Sequence, residues 1–448
     1  MGSTLLRKTI ISAACTAMLL HAVPSSAISL LQAYQAALKN DPQYRSAKAD
    51  NQSGQQYEVL GRAGLLPQVQ YGYTTSKNKG EQIAPDILGR LRETNLDYAS
   101  SSKSVSVRQS IFNLEGYARF KQGQAQTKLS DAQFEGRSAE LIVRLMTAYV
   151  DVSYAEDQLR LYTAQRDSYA EQKRLNDRLF EKGEGTKTDM LETQSKLDIA
   201  ESQLIEANDN LINARNALSN IVGEEVLSID TLATDISVND LVQGDYPSWQ
   251  EKAEKNNPEL RAANLAVEVA EQEVAKSRAA HAPRLEFNGN FNHGKSETVS
   301  TQRQDNNIRT AGVQLTIPIY SGGYANAVSK QAVAQKEKAI ADRDALRGRM
   351  LVELRKEFNA SRSSLSKIRA MQNSVATATA LVEATKQSVK GGIRINADLL
   401  SAQQQLVAAR RDLTAARYGH LLAFVKLKVV AGDVSYGDLQ TVSSYFQQ

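Results

Sequence analysis

The chain has 448 residues, 42% hydrophobic and 23% charged, with 54 basic side chains against 50 acidic ones and a formal net charge of +4. Eight prolines, 25 glycines and one cysteine exclude a collagen, a low-complexity chain and a disulfide-stapled scaffold, and so small a charge excess gives no footing for nucleic acid or acidic partners. Only 6% of residues are aromatic, and long stretches of Ala, Leu, Gln, Glu, Lys and Arg point to extended helix.

The first 27 residues read as an export signal. Arg7 and Lys8 open it, Thr9 to Leu20 is apolar, and Ser25-Ser26-Ala27 places small residues at a cleavage site, so a mature chain is expected from near Ile28. The alternative, an anchor helix, is weaker because a span needs about 20 apolar residues. Cys15 lies inside the apolar stretch, with Ser12 where a lipoprotein signal prefers an aliphatic residue, so no lipid anchor is expected. Signal removal takes away Arg7, Lys8 and the cysteine, lowering the formal charge from +4 to +2 and excluding thiol chemistry and thiolate metal sites. No later stretch of about 18 apolar residues offers a membrane helix. A membrane span, if present, must be made of strands.

The mature chain is predicted to contain one architecture twice, over 28–240 and 241–432, with a tail at 433–448. In the first half, Ser29 to Asn40 is a short amphipathic helix and Pro42 sits in the first turn of the next. Strands are expected at about 67–76 and 104–112, separated by a polar loop. Val69, Tyr71 and Tyr73 alternate with Gln68, Gln70 and Gly72, and Val105, Val107, Gln109 and Ile111 resume the period of two. Helices follow at about 115–181 and 188–222. The second half gives strands at about 284–292 and 309–319, with Leu285, Phe287, Gly289 and Phe291 on one face and Ala311, Val313, Leu315 and Ile317 on the return. Helices follow at about 324–390 and 396–430. Gly322-Gly323 lacks the further glycine and lysine of a phosphate cradle and reads as a tight lead-in to a helix.

Ordered matches tie the halves together. Asn40-Asp41-Pro42 recurs 216 residues on as Asn256-Asn257-Pro258, and Ser110 to Asn113 recurs 208 on as Pro318 to Ser321. Gly183, Asp189, Leu191, Gln194, Leu197 and Gly223 reappear as Gly392, Asp398, Leu400, Gln403, Leu406 and Gly432, all at a shift of 209.

The helices carry heptad seams. Leu141, Leu145, Ala148, Val152, Ala155, Leu159 and Tyr162 alternate spacings of four and three, as do Leu197 to Ile221 and Leu399 to Ala416. A 67-residue helix reaches about 100 Å at 1.5 Å per residue. The expectation is a rod several times longer than a membrane is thick, with strands at one end and helical turns at the other. Four strands leave two open edges, which hydrocarbon does not tolerate, so one chain cannot close a barrel. Two copies would just reach the smallest barrel of about eight strands and three would give twelve. The residues alone do not choose between them.

With the duplicated strand ends and helical turns in view, the chain resembles the TolC family of outer-membrane efflux proteins over residues 28 to about 432. The stretch Leu30 to Pro42 is more similar to members serving type I protein secretion than to drug-efflux members. The resemblance implies a mainly α fold with membrane β: a homotrimer whose twelve-stranded β-barrel in the outer membrane continues as a twelve-helix periplasmic α-barrel. It implies docking onto a periplasmic adaptor (membrane fusion) protein and an energised inner-membrane transporter, the ABC type among the candidates, for export of protein, peptide or small toxic compounds. Gly183 to Asp189 matches the first periplasmic turn, with Thr188 and Asp189 as its polar pair. Gly392 and Arg394 match the second turn, where the arginine helps hold the tip closed. Asp398 matches an inward-facing aspartate that forms an acidic selectivity ring, the place where cations would block. Ser401 replaces a second ring aspartate and Val389 a latch tyrosine, which implies fewer ring charges and leaves an Arg394–Asp189 closure open. Asp189 also has a simpler reading, as a helix cap.

No enzyme, cofactor or structural metal is expected. In the mature chain His281, His293 and His420 belong to separate elements without metal-ligand spacing, and no P-loop, dinucleotide fingerprint or nucleophile elbow is present. The competing reading is a soluble coiled-coil adaptor or scaffold of an export machine, which would keep the heptads without needing paired alternating strands. The polar segments around Lys77–Lys103 and His293–Asn307 are expected outside the cell. Tyr71, Tyr73, Phe112, Phe287, Phe291 and Tyr320 are candidates for contact with outer-membrane lipid. Trp249 is placed in an irregular segment that, with the tail, forms a belt around the tunnel.

Overall fold

The computed structural model describes residues 27–233, 242–296 and 304–447. The expected signal through Ser26, the boundary expected at 240/241 and the middle of the His293–Asn307 segment lie outside the described residues. In chain order the elements are α1 Leu30–Asn40, α2 Pro42–Gly54, α3 Gln56–Ala63, β1 Gln68–Pro85, β2 Leu91–Asn113, α4 Leu114–Glu181, α5 Lys187–Val222 and β3 Thr231–Leu232. They continue with α6 Tyr246–Asn256, α7 Pro258–Ala279, β4 Arg284–Ser296, β5 Gln304–Thr316, α8 Tyr324–Lys390, α9 Asn396–Val430, α10 Tyr436–Ser443 and β6 Phe446–Gln447. The described residues fall into two compact units, one within Met1–Ser46, Arg137–Ala253 and Val352–Gln448, the other within Ala47–Gly136 and Glu254–Leu351.

The duplicated Asn-Asp/Asn-Pro motif is a helix-start device. Asp41 Oδ1 accepts the Tyr44 amide at 2.7 Å and Asn257 Oδ1 the Leu260 amide at 2.8 Å. Both caps share a backbone, φ/ψ −58/119 and −58/120, and proline fills the first helical position, where no amide is needed. Asp41 is buried and also pairs with Arg144 at 3.0 Å.

In the first unit the heptad seams form the core. Leu141, Leu145, Val152 and Ala155 of α4 are buried, as are Leu197, Ala200, Leu211 and Leu218 of α5 and Leu399, Ala402, Ala409 and Ala416 of α9. The seams also hold polar groups. The Ser153 hydroxyl lies 2.6 Å from that of Tyr418, which donates to Asp157 at 2.9 Å, and Ser364 Oγ lies 2.6 Å from His420 Nδ1. Burial, then the Asp157 charge, pushes the Tyr418 hydroxyl pKa far above its ordinary value. Asn40 at the end of α1 donates to Val222 O at the end of α5, 2.8 Å away. Ile28 forms a parallel bridge with Ile229, and β3 pairs with β6, so the tail docks on the segment that follows α5. Trp249 is helical rather than irregular: it is buried in α6 and donates its indole N–H to Gln243 O at 3.0 Å.

The second unit carries one antiparallel sheet in the order β1-β2-β4-β5. Register places Val69 opposite Val107, Val107 opposite Gly289 and Gly289 opposite Ala311; one row on, Tyr71, Val105 and Phe291 align. Directly paired residues share a face, so the apolar positions of all four strands form one surface. Gln70, Ser106, Asn290 and Thr310 align on the other.

Three strand expectations are corrected. The Lys77–Lys103 segment is not a loop: pairing continues to Pro85–Leu91 and closes in a short turn in which Asp86 Oδ1 accepts the Leu88 and Arg90 amides. Ser, Thr and Lys support a ladder without an apolar face, with Ser76 to Ser100 at 2.6 Å and Lys77 to Asp97 at 3.7 Å as cross-strand pairs. Second, the register shifts between Ser110 and Phe112, so that Phe112, not Ile111, stands opposite Leu285; the extra residue resets the period of two. Third, β5 ends at Thr316 rather than near 319, because Pro318 has no amide to donate.

Candidate functional site: paired helical turns and a two-faced sheet

The α4–α5 and α8–α9 connections are built alike. Gly183 (φ +75°) donates to Phe180 O at 2.9 Å and Glu184 to Leu179 O at 2.8 Å; Gly392 (φ +71°) donates to Val389 O at 3.0 Å and Ile393 to Ser388 O at 2.9 Å. These are the bonds that close a helix on a left-handed residue, which explains glycine at both places.

The two helix starts that follow differ. Thr186 caps α5: its Oγ1 accepts the Asp189 amide at 3.1 Å and donates to Asp189 Oδ2 at 2.6 Å. The capping residue is therefore Thr186, which the sequence reading passed over, while Thr188 is an exposed residue of the first turn. Asp189 is tied into that cap and forms no ion pair with Arg394 among the described residues; Arg394 is exposed. At the matching position of α9 stands Ile395, which has no hydroxyl and makes no side-chain cap. Asp398, three residues on, donates its amide to Ile395 O at 3.2 Å, and its carboxylate has no intrachain partner among the described residues. One duplicated aspartate is thus committed to its own turn. The other is not.

Behind the turns lies a network that the sequence reading missed. Thr193 is fully buried, and Asn176 and Asn396 nearly so. Thr193 Oγ1 accepts from Asn176 Nδ2 at 2.7 Å and Asn396 Nδ2 at 3.1 Å, and donates to Asp189 O at 2.8 Å. Gln172 Nε2 donates to Asn396 Oδ1 at 3.0 Å and Asn176 Oδ1 at 3.3 Å. Every polar atom of Thr193 is used, and α4, α5 and α9 are joined at one point. An apolar cluster of Tyr169, Leu197, Ala200 and Leu400 adjoins this network in sequence along the same three helices.

In the other unit, the apolar sheet face is open. Val69 is 66% exposed, Tyr71 68% and Val313 62%. A contiguous patch of this kind on a chain in water would drive association. Among the described residues, β1 and β5 each present an unpaired edge. No helix among the described residues is long and apolar enough to cross a membrane. Tyr71, Tyr73, Phe287 and Phe291 fall on the apolar face, as do Phe112 and Leu285 beyond the register shift; Tyr320 lies past the end of β5.

The profile of the outer membrane efflux protein family matches residues 33–224 and 249–433. The chain is 38% identical over 422 residues to the alkaline protease secretion protein AprF of Pseudomonas aeruginosa, covering 94% of this chain and 88% of that protein. It is 34% identical over 430 residues to the proteases secretion protein PrtF of Dickeya chrysanthemi, covering 94% and 92%. Among solved structures, the Campylobacter jejuni CmeC outer membrane channel superposes with a TM-score of 0.80 at 17% identity, over 94% of this chain and 90% of that one; at this identity the likeness is one of fold.

Proposed function

The chain belongs to the outer membrane efflux protein family, and on that footing we propose that it is the outer-membrane conduit of a type I secretion system, passing a protein cargo of which a protease is the leading candidate. It is a transport protein of the outer membrane, not an enzyme. The cargo class rests on the secretion of proteases by the two relatives named above. The observation that carries the conduit reading is the two-faced sheet with open edges. Its apolar face suits lipid, its Ser/Asn/Gln/Thr face suits a water-filled lumen, and its edges call for further copies of the same strands.

Three chains would give a twelve-stranded barrel by repeated contacts of β1 on one copy with β5 on the next. The long helices, four per chain with α1–α3, α6 and α7 completing the shorter ones, would then give a twelve-helix tunnel in the periplasm. In this arrangement the Gly183 and Gly392 turns form the tip facing an adaptor protein and an energised inner-membrane transporter, the ABC type among the candidates. Nothing in the chain supplies energy of its own, so transport work falls to that partner. Asp398, uncommitted to capping, would meet its copies near the axis as a ring of three carboxylates that attracts cations. Arg394 and Asp189, which form no ion pair within one chain among the described residues, would pair between neighbouring chains.

Purified protein inserted into a planar bilayer tests the reading. Discrete ionic channels, together with a detergent-extracted particle of trimer mass, are the expected result. A water-soluble monomer without conductance would overturn it and return the chain to the class of soluble helical scaffolds.

A further inference from the structure

The apolar face of the sheet does not end in neutral polar residues. Successive rows on it are two residues apart, about 7 Å. From the Leu285–Leu315 row to the His293–Asn307 row is eight residues along β4, about 27 Å, or roughly 20 Å in height at the usual tilt of membrane strands. That is close to the apolar band of about 25 Å, so the His293 row stands at the band's outer margin. Here cations appear. Lys103 pairs in register with His293 and lies 5.9 Å from the centre of the Tyr73 ring; Arg309, one row below and two strands over, lies 5.8 Å from the centre of the Phe291 ring.

Neither Lys103 nor Arg309 has a carboxylate partner among the described residues. Among the described residues near this row, Asp305 is shared by His293 at 3.4 Å and Lys295 at 3.3 Å. Between the rows is a shallow depression of ≈ 340 Å³ lined by Tyr71, Lys103, Val105, Phe291, His293 and Asn307. Its apolar floor continues the apolar face of the sheet and Lys103 stands on its rim. An uncompensated ammonium at the edge of hydrocarbon is stabilised by an anion at headgroup depth, and the acyl chain below such an anion fits the aromatic floor.

We propose that this depression is a binding site for a phosphate-bearing anionic lipid of the surrounding leaflet, with Lys103 on its rim and Arg309, outside the lining beside Phe291, holding phosphate and Tyr71, Val105 and Phe291 supporting its acyl chain. The inference rests on the barrel reading above, in which this face looks outward. The test uses the full protein in phosphatidylcholine vesicles with and without bis-phosphorylated lipid A, followed by extraction and counting of retained lipid by native mass spectrometry. The wild type is expected to retain lipid A over phosphatidylcholine, and the K103Q/R309Q double variant to retain at least about fivefold less. R309K alone should retain most of it, and R108Q, on the opposite face, all of it. Equal retention by wild type and double variant, or equal retention of the neutral lipid, would overturn the site. Conductance is recorded on the same preparations. Intact channels without lipid preference would refute the site alone, whereas failure of the wild type to insert would refute the barrel reading beneath it.

Discussion

Replacing Thr193 with valine keeps the shape of the side chain and removes one hydroxyl. In the structure that hydroxyl accepts from both Asn176 and Asn396 and donates to Asp189 O. Asn176 Nδ2 retains a second acceptor, Asp189 O at 3.4 Å, so its loss is partial. Asn396 Nδ2 loses the acceptor it has, in a position only 7% exposed. A buried donor left unpaired costs about 1–3 kcal/mol, so the two amides together give about 3 kcal/mol. At 1.4 kcal/mol per tenfold, local opening of the turns should become roughly a hundredfold more frequent. Hydrogen exchange measured by mass spectrometry on peptides spanning 170–200 and 386–402 reads this directly. T193V should exchange about a hundredfold faster there and unchanged elsewhere, while T193S, which restores the hydroxyl, should resemble wild type. Exchange in T193V within threefold of wild type would show that the network does not hold the helices together. Uniform acceleration over the whole chain would refute the claim that it acts locally.

Two further outcomes follow from the same geometry. D398N should lower the preference for cations over anions in planar bilayers and raise the divalent concentration needed for half-block, and S401D should act in the opposite sense; unchanged selectivity in D398N removes the ring assignment. Burial raises the pKa of Asp230, whose Oδ1 has no hydrogen-bond partner among the described residues. The folded state therefore binds that proton more tightly than the unfolded chain, whose aspartates titrate near 3.9. Its contribution is fully present below that value and is lost as pH rises through the raised one. D230N should thus melt higher than wild type at neutral pH, with the advantage vanishing as the solution is acidified to about pH 3; an advantage that persists at low pH would point to a cause other than ionisation.

The long helices were legible because burial repeats on the helical period: Leu141, Leu145 and Val152, or Leu197, Ala200 and Leu211, mark the buried stripe residue by residue. The helix starts at Asp41 and Asn257 were legible because a short acceptor followed by proline has few other uses. The outer half of the β1–β2 hairpin was not, since outer β1 is exposed on both sides almost throughout and in outer β2 the half-buried positions Thr94, Leu96 and Tyr98 include only two large side chains. Thr193, Asn176 and Asn396 were hidden by their chemistry, because amide and hydroxyl residues on a helix look like a wetted surface. A signal was nonetheless present. Tyr162 advanced by two heptads reaches Asn176, Leu197 stepped back four reaches Thr193, and Leu399 stepped back three reaches Asn396. The seams run on into the turns and change from apolar to polar as they do so.

That change of content at constant spacing has a mechanical consequence. Apolar seam contacts are non-directional and tolerate small sliding of one helix past another. Hydrogen bonds from Asn176 and Asn396 to Thr193, and from Gln172 to both asparagines, are directional, and when broken inside the bundle they cost the full desolvation of their groups unless water enters. A joint of this type has two well-defined conditions: closed and satisfied, or open and wet. The apolar cluster of Tyr169, Leu197, Ala200 and Leu400 joins the same three helices through non-directional contacts. Asp189 and Asp398 then fall on opposite sides of the same logic: Thr186 ties one aspartate into its turn, while Ile395 offers the other no side-chain cap.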